Sequence, residues 1–168
     1  AVQLLNRIAF EVRPARDDKV VAAWNGLLVD SLVQAAMIFA RPDWLQIATE
    51  AADHVWRLHW RGGRLRRTSR DGVAGEALGI LEDYAALALA AVRLAAVHAE
   101  PVWLSRAEQL LEVIMEQFTD AGGGFFDTAA DAEQLYTRPQ DPTDNATPSG
   151  LSAAVHALRL MAELTGLD

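Results

Sequence analysis

Cysteine is absent from the 168 residues. That removes a disulfide framework, a thiolate nucleophile and any cysteine-ligated metal from these residues. Lysine is nearly absent too: Lys19 stands alone against fourteen arginines, and no run of basic side chains occurs. With a formal net charge of −8, the chain lacks the electrostatic footprint of a nucleic-acid or membrane-surface binder, so neither is an expected partner. Nor is there an apolar run that spans a bilayer. The stretch 85–97 is short and interrupted by Arg93, and the stretch 20–40 contains Asn25, Gly26, Asp30 and Gln34. Residues 1–14 have no charged start, apolar stretch and small-residue cleavage site of a secretory signal. They read as the tail of a helix, and the expected compartment is the cytoplasm.

What is present is alanine, 31 residues of it, within a composition that is 51% hydrophobic and 23% charged. A chain of this length and balance suits one globular domain that buries about 70% of its unfolded surface. Apolar spacing predicts five helices, at about 17–40, 42–60, 81–99, 101–118 and 149–164. Pro42 and Pro101 fall in first helical turns, where a missing N–H costs no helical bond, and Ser149 after Pro148 suits an N-cap. The first, third and fifth helices are apolar nearly all round and must be covered on most sides. The second and fourth are amphipathic. In the fourth, Trp103, Ala107, Leu110, Leu111, Ile114 and Phe118 keep helical spacing while Glu108, Glu112 and Glu116 lie elsewhere.

A repeat orders these helices. Pro42, Trp44, Leu45 and Ala48 match Pro101, Trp103, Leu104 and Ala107 at an offset of 59, and Gly62-Gly63 after the second helix resembles Gly123-Gly124 after the fourth. Each unit is an inner helix, an outer helix and a glycine-marked turn into a short hairpin or loop. A 59-residue unit exceeds the 34 of a tetratricopeptide and the 40–47 of armadillo-type repeats. Long inner–outer hairpins fit an all-α toroid, and six such units need roughly 350 residues. The expected fold is therefore about half of an (α/α)6 toroid, a single partial domain over 1–168 that belongs to a longer protein.

Four motifs, in order, carry a family resemblance. They are Arg16-Asp17-Asp18-Lys19-Val20-Val21-Ala22-Ala23-Trp24-Asn25-Gly26-Leu27, then Glu82-Asp83-Tyr84-Ala85, then Gly123-Gly124-Phe125-Phe126-Asp127-Thr128, and last Arg138-Pro139-Gln140-Asp141-Pro142-Thr143-Asp144-Asn145-Ala146-Thr147-Pro148-Ser149-Gly150. Together they resemble the C-terminal region of the YyaL / spermatogenesis-associated protein 20 family of thioredoxin-domain-containing proteins, across essentially the whole chain. The resemblance implies a helical region similar to six-hairpin glycosidases and N-acylglucosamine 2-epimerases. It also implies a thioredoxin-like domain elsewhere in the parent protein, whose redox chemistry does not transfer to these residues.

The polar clusters lie at the starts of the inner helices, where a toroid opens onto its cavity. Sugar chemistry needs carboxylates for acid–base work and aromatic faces for ring packing. Asp17, Asp18, Glu82 and Asp83 are the catalytic candidates, with one carboxylate of the first inner helix expected to face one of the third. Trp24, Asn25, Tyr84, Phe126, Arg138 and Ser149 are the substrate-binding candidates. Arg138 suits a carboxylate or phosphate on a ligand. The loop 119–148 is long enough to act as a lid or wall. The same carboxylates equally suit helix caps, and Lys19 suits a pair with Glu82 or Asp83. Trp24 suits a core and Asn25 a backbone partner. No metal is expected, because His54 and His59 are five apart and His98 and His156 are isolated, and no cofactor loop is present. Two functions therefore stand: a carbohydrate-active domain with a glycosidase- or epimerase-like site, or a non-catalytic helical scaffold or binding domain. In either case the first and last helices expose apolar faces, and self-association is expected.

Overall fold

The computed structural model describes residues 17–133 and 136–166. The helix tail expected within 1–14 lies outside the described residues. Chain order is β1 (Val20–Val21), α1 (Ala22–Ile38), α2 (Pro42–His59), β2 (Trp60–Arg61), β3 (Arg64–Leu65), β4 (Thr68–Arg70), β5 (Val73–Ala74), α3 (Leu81–Val97), α4 (Pro101–Gln117) and α5 (Gly150–Thr165). The five helices lie where apolar spacing places them. The strands are pieces of two or three residues between helical units.

α3 is the hub, packing against α1, α4 and α5, with α2 behind α1. Twelve of its seventeen residues are buried, which is why its sequence is apolar nearly all round. Beyond the first-turn Glu82 and Asp83 its one charge is Arg93, which meets Asp30 of α1 at 2.9 Å, and Gln34 donates to the other Asp30 oxygen at 2.7 Å. α1, α3 and α5 are thus inner helices, and α2 and α4 outer ones.

Glycine sets how closely the inner helices approach. A Cβ on Gly26 of α1 would lie 2.6 Å from the Ala86 carbonyl carbon of α3, so backbone meets backbone there. On the opposite flank, a Cβ on Gly150 would lie 3.0 Å from the Glu82 amide nitrogen. Both contacts lie near helix starts and draw three N-termini to one end of the molecule.

The repeat is structural as well as sequential. After α2, β2 pairs with β3 across Gly62 and Gly63, which hold φ of 58° and 76° that a side chain disfavours. After α4, Thr119 bridges Phe125 across Gly123, at φ 84°. One boundary differs from the sequence expectation. α1 begins at Ala22 rather than near residue 17, because Val20 and Val21 pair antiparallel with Ser69 and Thr68. β5 extends that pairing into a three-stranded sheet.

The core runs from the β2–β3 hairpin through α3 to α4 and α5. Tyr84 and Phe118 are fully buried ring neighbours, 5.3 Å apart. His59 is also fully buried, its Nδ1 2.8 Å from the Arg66 carbonyl and its Nε2 2.9 Å from the Ser69 hydroxyl. A carbonyl only accepts, so Nδ1 carries the proton and Ser69 donates to Nε2. This pair ties the end of α2 to β4. No described helix is long and apolar enough to cross a membrane.

Candidate functional site

The N-terminal ends of α3 and α5 frame a polar cleft of about 250 Å³. Glu82 and Ile80 come from the start of α3, Ser149 and Gly150 from the start of α5. Asp127, Asp141, Thr143, Asn145, Thr147 and Pro148 come from the connection between α4 and α5. That connection forms one wall, as its length suggested. Its path is fixed by backbone bonds: the Leu81 N–H donates to the Asp127 carbonyl at 2.9 Å, and the Asp127 N–H to the Pro139 carbonyl at 2.8 Å.

Two of the cleft's carboxylates sit in unlike settings. Glu82 meets the Arg67 guanidinium at 2.8 Å. Asp127 has no cationic partner among the described residues. Burial pushes its carboxyl above the usual range, with Asp141 and Glu82 adding repulsion against the Asp141 amide that bonds its Oδ2 at 2.9 Å. Ser149 caps α5 as its sequence context predicts, accepting the Ser152 N–H at 3.1 Å. Asp144 in turn accepts the Ser149 N–H at 2.9 Å, which holds its carboxyl below the usual range.

Of the ten sequence-predicted site residues, Glu82 and Ser149 line this cleft. Asp83 lies next to Glu82 but points inward and has no exposed surface. Its Oδ1 accepts the Ala23 N–H of α1 and its Oδ2 the Ile80 N–H, each at 3.0 Å, with Arg67 at 3.3 Å. It caps two inner helices at once. Even so, burial pushes its carboxyl up to about 6.

Asp17 and Asp18 do not reach the cleft. Asp17 pairs with Lys19 at 3.2 Å and Asp18 with Arg70 at 2.6 Å, so no carboxylate of the first unit faces one of the third helix. Arg67, rather than Lys19, is the cation between Glu82 and Asp83. Trp24 is 64% exposed on α1, so it is not core. Asn25 donates to the Val21 carbonyl at 2.8 Å. The Tyr84 hydroxyl accepts the Leu65 N–H at 2.8 Å and Arg64 Nε at 3.1 Å inside the core. Phe126 lies under the Arg138 guanidinium at 3.9 Å, and Arg138 donates to the carbonyls of Thr128 and, at 3.0 Å, Gln117. Arg138 therefore staples the connecting loop to the end of α4. The polar cleft residues that are not among the sequence-predicted candidates include Asp127, Asp141, Thr143 and Asn145, although Asn145 belongs to the polar cluster that the sequence places before the fifth helix. The available signal for Asp127 is its place directly after Gly123-Gly124-Phe125-Phe126.

No protein-family profile matches the chain. Among curated proteins it is 33% identical to spermatogenesis-associated protein 20 of Rattus norvegicus over 161 residues, which covers 89% of the chain and 20% of that protein. The Homo sapiens protein of the same name is 32% identical over 165 residues, 92% of the chain and 21% of that protein. The chain thus spans about a fifth of the length of these relatives. Among solved structures, a family 76 glycoside hydrolase from a bovine Bacteroides thetaiotaomicron strain aligns with TM-score 0.67 and 13% identity, over 92% of this chain and 33% of that one. Cellobiose 2-epimerase from Spirochaeta thermophila aligns with TM-score 0.66 and 14% identity, over 92% of this chain and 40% of that one. At such identity the likeness shows the fold alone. The chain carries part of an (α/α)6 toroid, and its homologues over most of its length are the YyaL-like spermatogenesis-associated protein 20 proteins.

Proposed function

We propose that the cleft at the starts of α3 and α5 binds a neutral sugar, and that Glu82 and Asp127 are its acid–base pair. One observation carries the reading: the two carboxylates share a polar cleft, Glu82 beside the Arg67 cation and Asp127 lifted above its usual range without one. Titratable groups in unlike environments are what proton delivery and proton removal at a sugar centre require. Asp127 suits the donor and Glu82 the acceptor. Thr143, Asn145 and Ser149 offer hydrogen-bonding side chains for ring hydroxyls. Three carboxylates and the turned-away Arg138 disfavour a phosphorylated or acidic sugar. The fold shared with a glycoside hydrolase and a sugar epimerase supports the ligand class and leaves the reaction to experiment.

The test is titration of neutral monosaccharides and cellobiose, with glucose 6-phosphate as contrast, into this chain and into the longer protein. Saturable chemical-shift changes over 143–150 are expected for neutral sugars. In the longer protein, Asp127→Asn should lower turnover about a hundredfold or more while leaving sugar affinity within about tenfold. No saturable response to any sugar in either protein would overturn the reading.

A specific observation favours the rival. Asp17, Asp18 and Asp83, three of the four expected catalytic carboxylates, are engaged in ion pairs and caps. Under that reading the domain is a helical scaffold, and turnover by the longer protein survives Asp127→Asn unchanged.

A further inference from the structure

Trp103 and Arg106 are three apart near the start of α4 and so share a helix face. Trp103 is 4% exposed, and its indole N–H has no acceptor among the described residues. Arg106 Nη1 is buried and equally without an acceptor among them, although Nη2 donates to Asp53 at 2.8 Å. Both side chains line one small, partly open cavity, together with Ala52 and Trp56 of α2, Leu87 of α3 and Leu110 of α4.

Size and chemistry narrow the occupant. The cavity measures about 20 Å³, room for one water-sized body and too little for a carboxylate, sulfate or phosphate. Its polar side chains, Trp103 and Arg106, are both donors. A water molecule would find no side-chain acceptor there for its own hydrogens, whereas a monatomic anion needs donors alone. Charge agrees with that. Asp53 is a single carboxylate shared by two guanidinium groups, Arg106 at 2.8 Å and Arg57 at 2.7 Å, which leaves the cluster positive. The Arg106 cation also lies over the indole faces of Trp103 and Trp56, at 4.6 and 5.2 Å. Packing of the repeat does not call for an arginine here, because the equivalent position of the first unit is Ile47, which is exposed.

We propose that this cavity is a binding site for one monatomic anion of chloride size, held by the Trp103 indole N–H and Arg106 Nη1. The ion joins outer helices α2 and α4 behind α3, remote from the sugar cleft.

The experiment exchanges the isotope-labelled chain from sodium gluconate, whose anion is too large for the cavity, into chloride or bromide at constant ionic strength. The Trp103 indole resonance should move along a saturable curve while those of Trp24 and Trp44 stay. Tm should be higher in chloride than in gluconate, and a bromide-soaked crystal should show anomalous density between Trp103 and Arg106. Arg106→Met should abolish the saturable shift, and Arg57→Gln, which removes an exposed cation outside the cavity, should weaken it severalfold. If Arg106→Met does not fold, the halide exchange on the unaltered chain still decides. Identical indole spectra in chloride and gluconate, with no bromide density, would assign a water molecule and overturn the proposal.

Discussion

Asp83 shows how one side chain can serve two helices at a cost that depends on pH. Its carboxyl accepts amides from Ala23 and Ile80 and faces Arg67, all of which favour the charged form, yet burial dominates and raises it to about 6. A folded-state value above the unfolded 3.8 means that this group's stabilisation is full below pH 3.8 and is lost as pH rises through 6. The loss amounts to about 3 kcal/mol, from roughly two pKa units at 1.36 kcal/mol each. Asp83→Asn removes that slope. It also sets a donor against one of the two amides, lowering stability by about 1–3 kcal/mol. Denaturant melts from pH 4 to 7 should show the wild-type advantage over Asp83→Asn shrinking as pH rises; a constant gap would refute the desolvation account. His59 runs the other way. Burial lowers it from 6.5, so its contribution is full above pH 6.5 and is lost as pH falls through its folded value. Sequence alone places Asp83 at a helix start, which suits a cap. It cannot show that the second capped helix begins sixty residues earlier.

At the scale of elements, the helices are legible because a 3.6-residue apolar period extends over four or five turns, and Pro42, Pro101 and Ser149 mark their starts. The strands are not. Two-residue pairings such as Val20 with Ser69 have no period to read, and they exist because the segment before α1 meets the segment after α2 in space. The same reason hides Asp127 and Asp141, which reach the cleft through loop backbone anchored to Leu81 and Pro139 rather than through a helical face. Gly26 tests how strictly the inner helices are spaced. In Gly26→Ala the methyl meets the Ala86 carbonyl, which is helix backbone and cannot rotate away. Despite the better helix propensity of alanine, the variant should lose about 2 kcal/mol or more. Gly63→Ala, strained by its φ of 76° but with open space around it, should lose only about 1 kcal/mol. Equal melting points for Gly26→Ala and wild type would mean that α1 and α3 are free to separate.

At the scale of the whole molecule, the inner layer has two edges among the described residues. α1 exposes Trp24 and Leu28, one turn apart, and Met37, Ile38 and Phe39 follow at its end; α5 exposes Val155 and Leu164. In a toroid, inner helices stand side by side, so we propose that these faces join copies of this chain. Light scattering should give a mass above 18.3 kDa that rises with concentration, and a paired Trp24→Glu and Leu28→Glu variant should return it to the monomer value. A monomer at every concentration would refute the association. The cap that Asp83 places on α1 has a consequence for exchange with solvent. First-turn amides of a helix ordinarily exchange with deuterium through fraying, near zero free energy. Here the Ala22 N–H bonds the Arg67 carbonyl at 2.9 Å and the Ala23 N–H bonds a buried carboxylate on α3. Their slow exchange would register the parting of two repeat units, making this helix start a reporter of global opening.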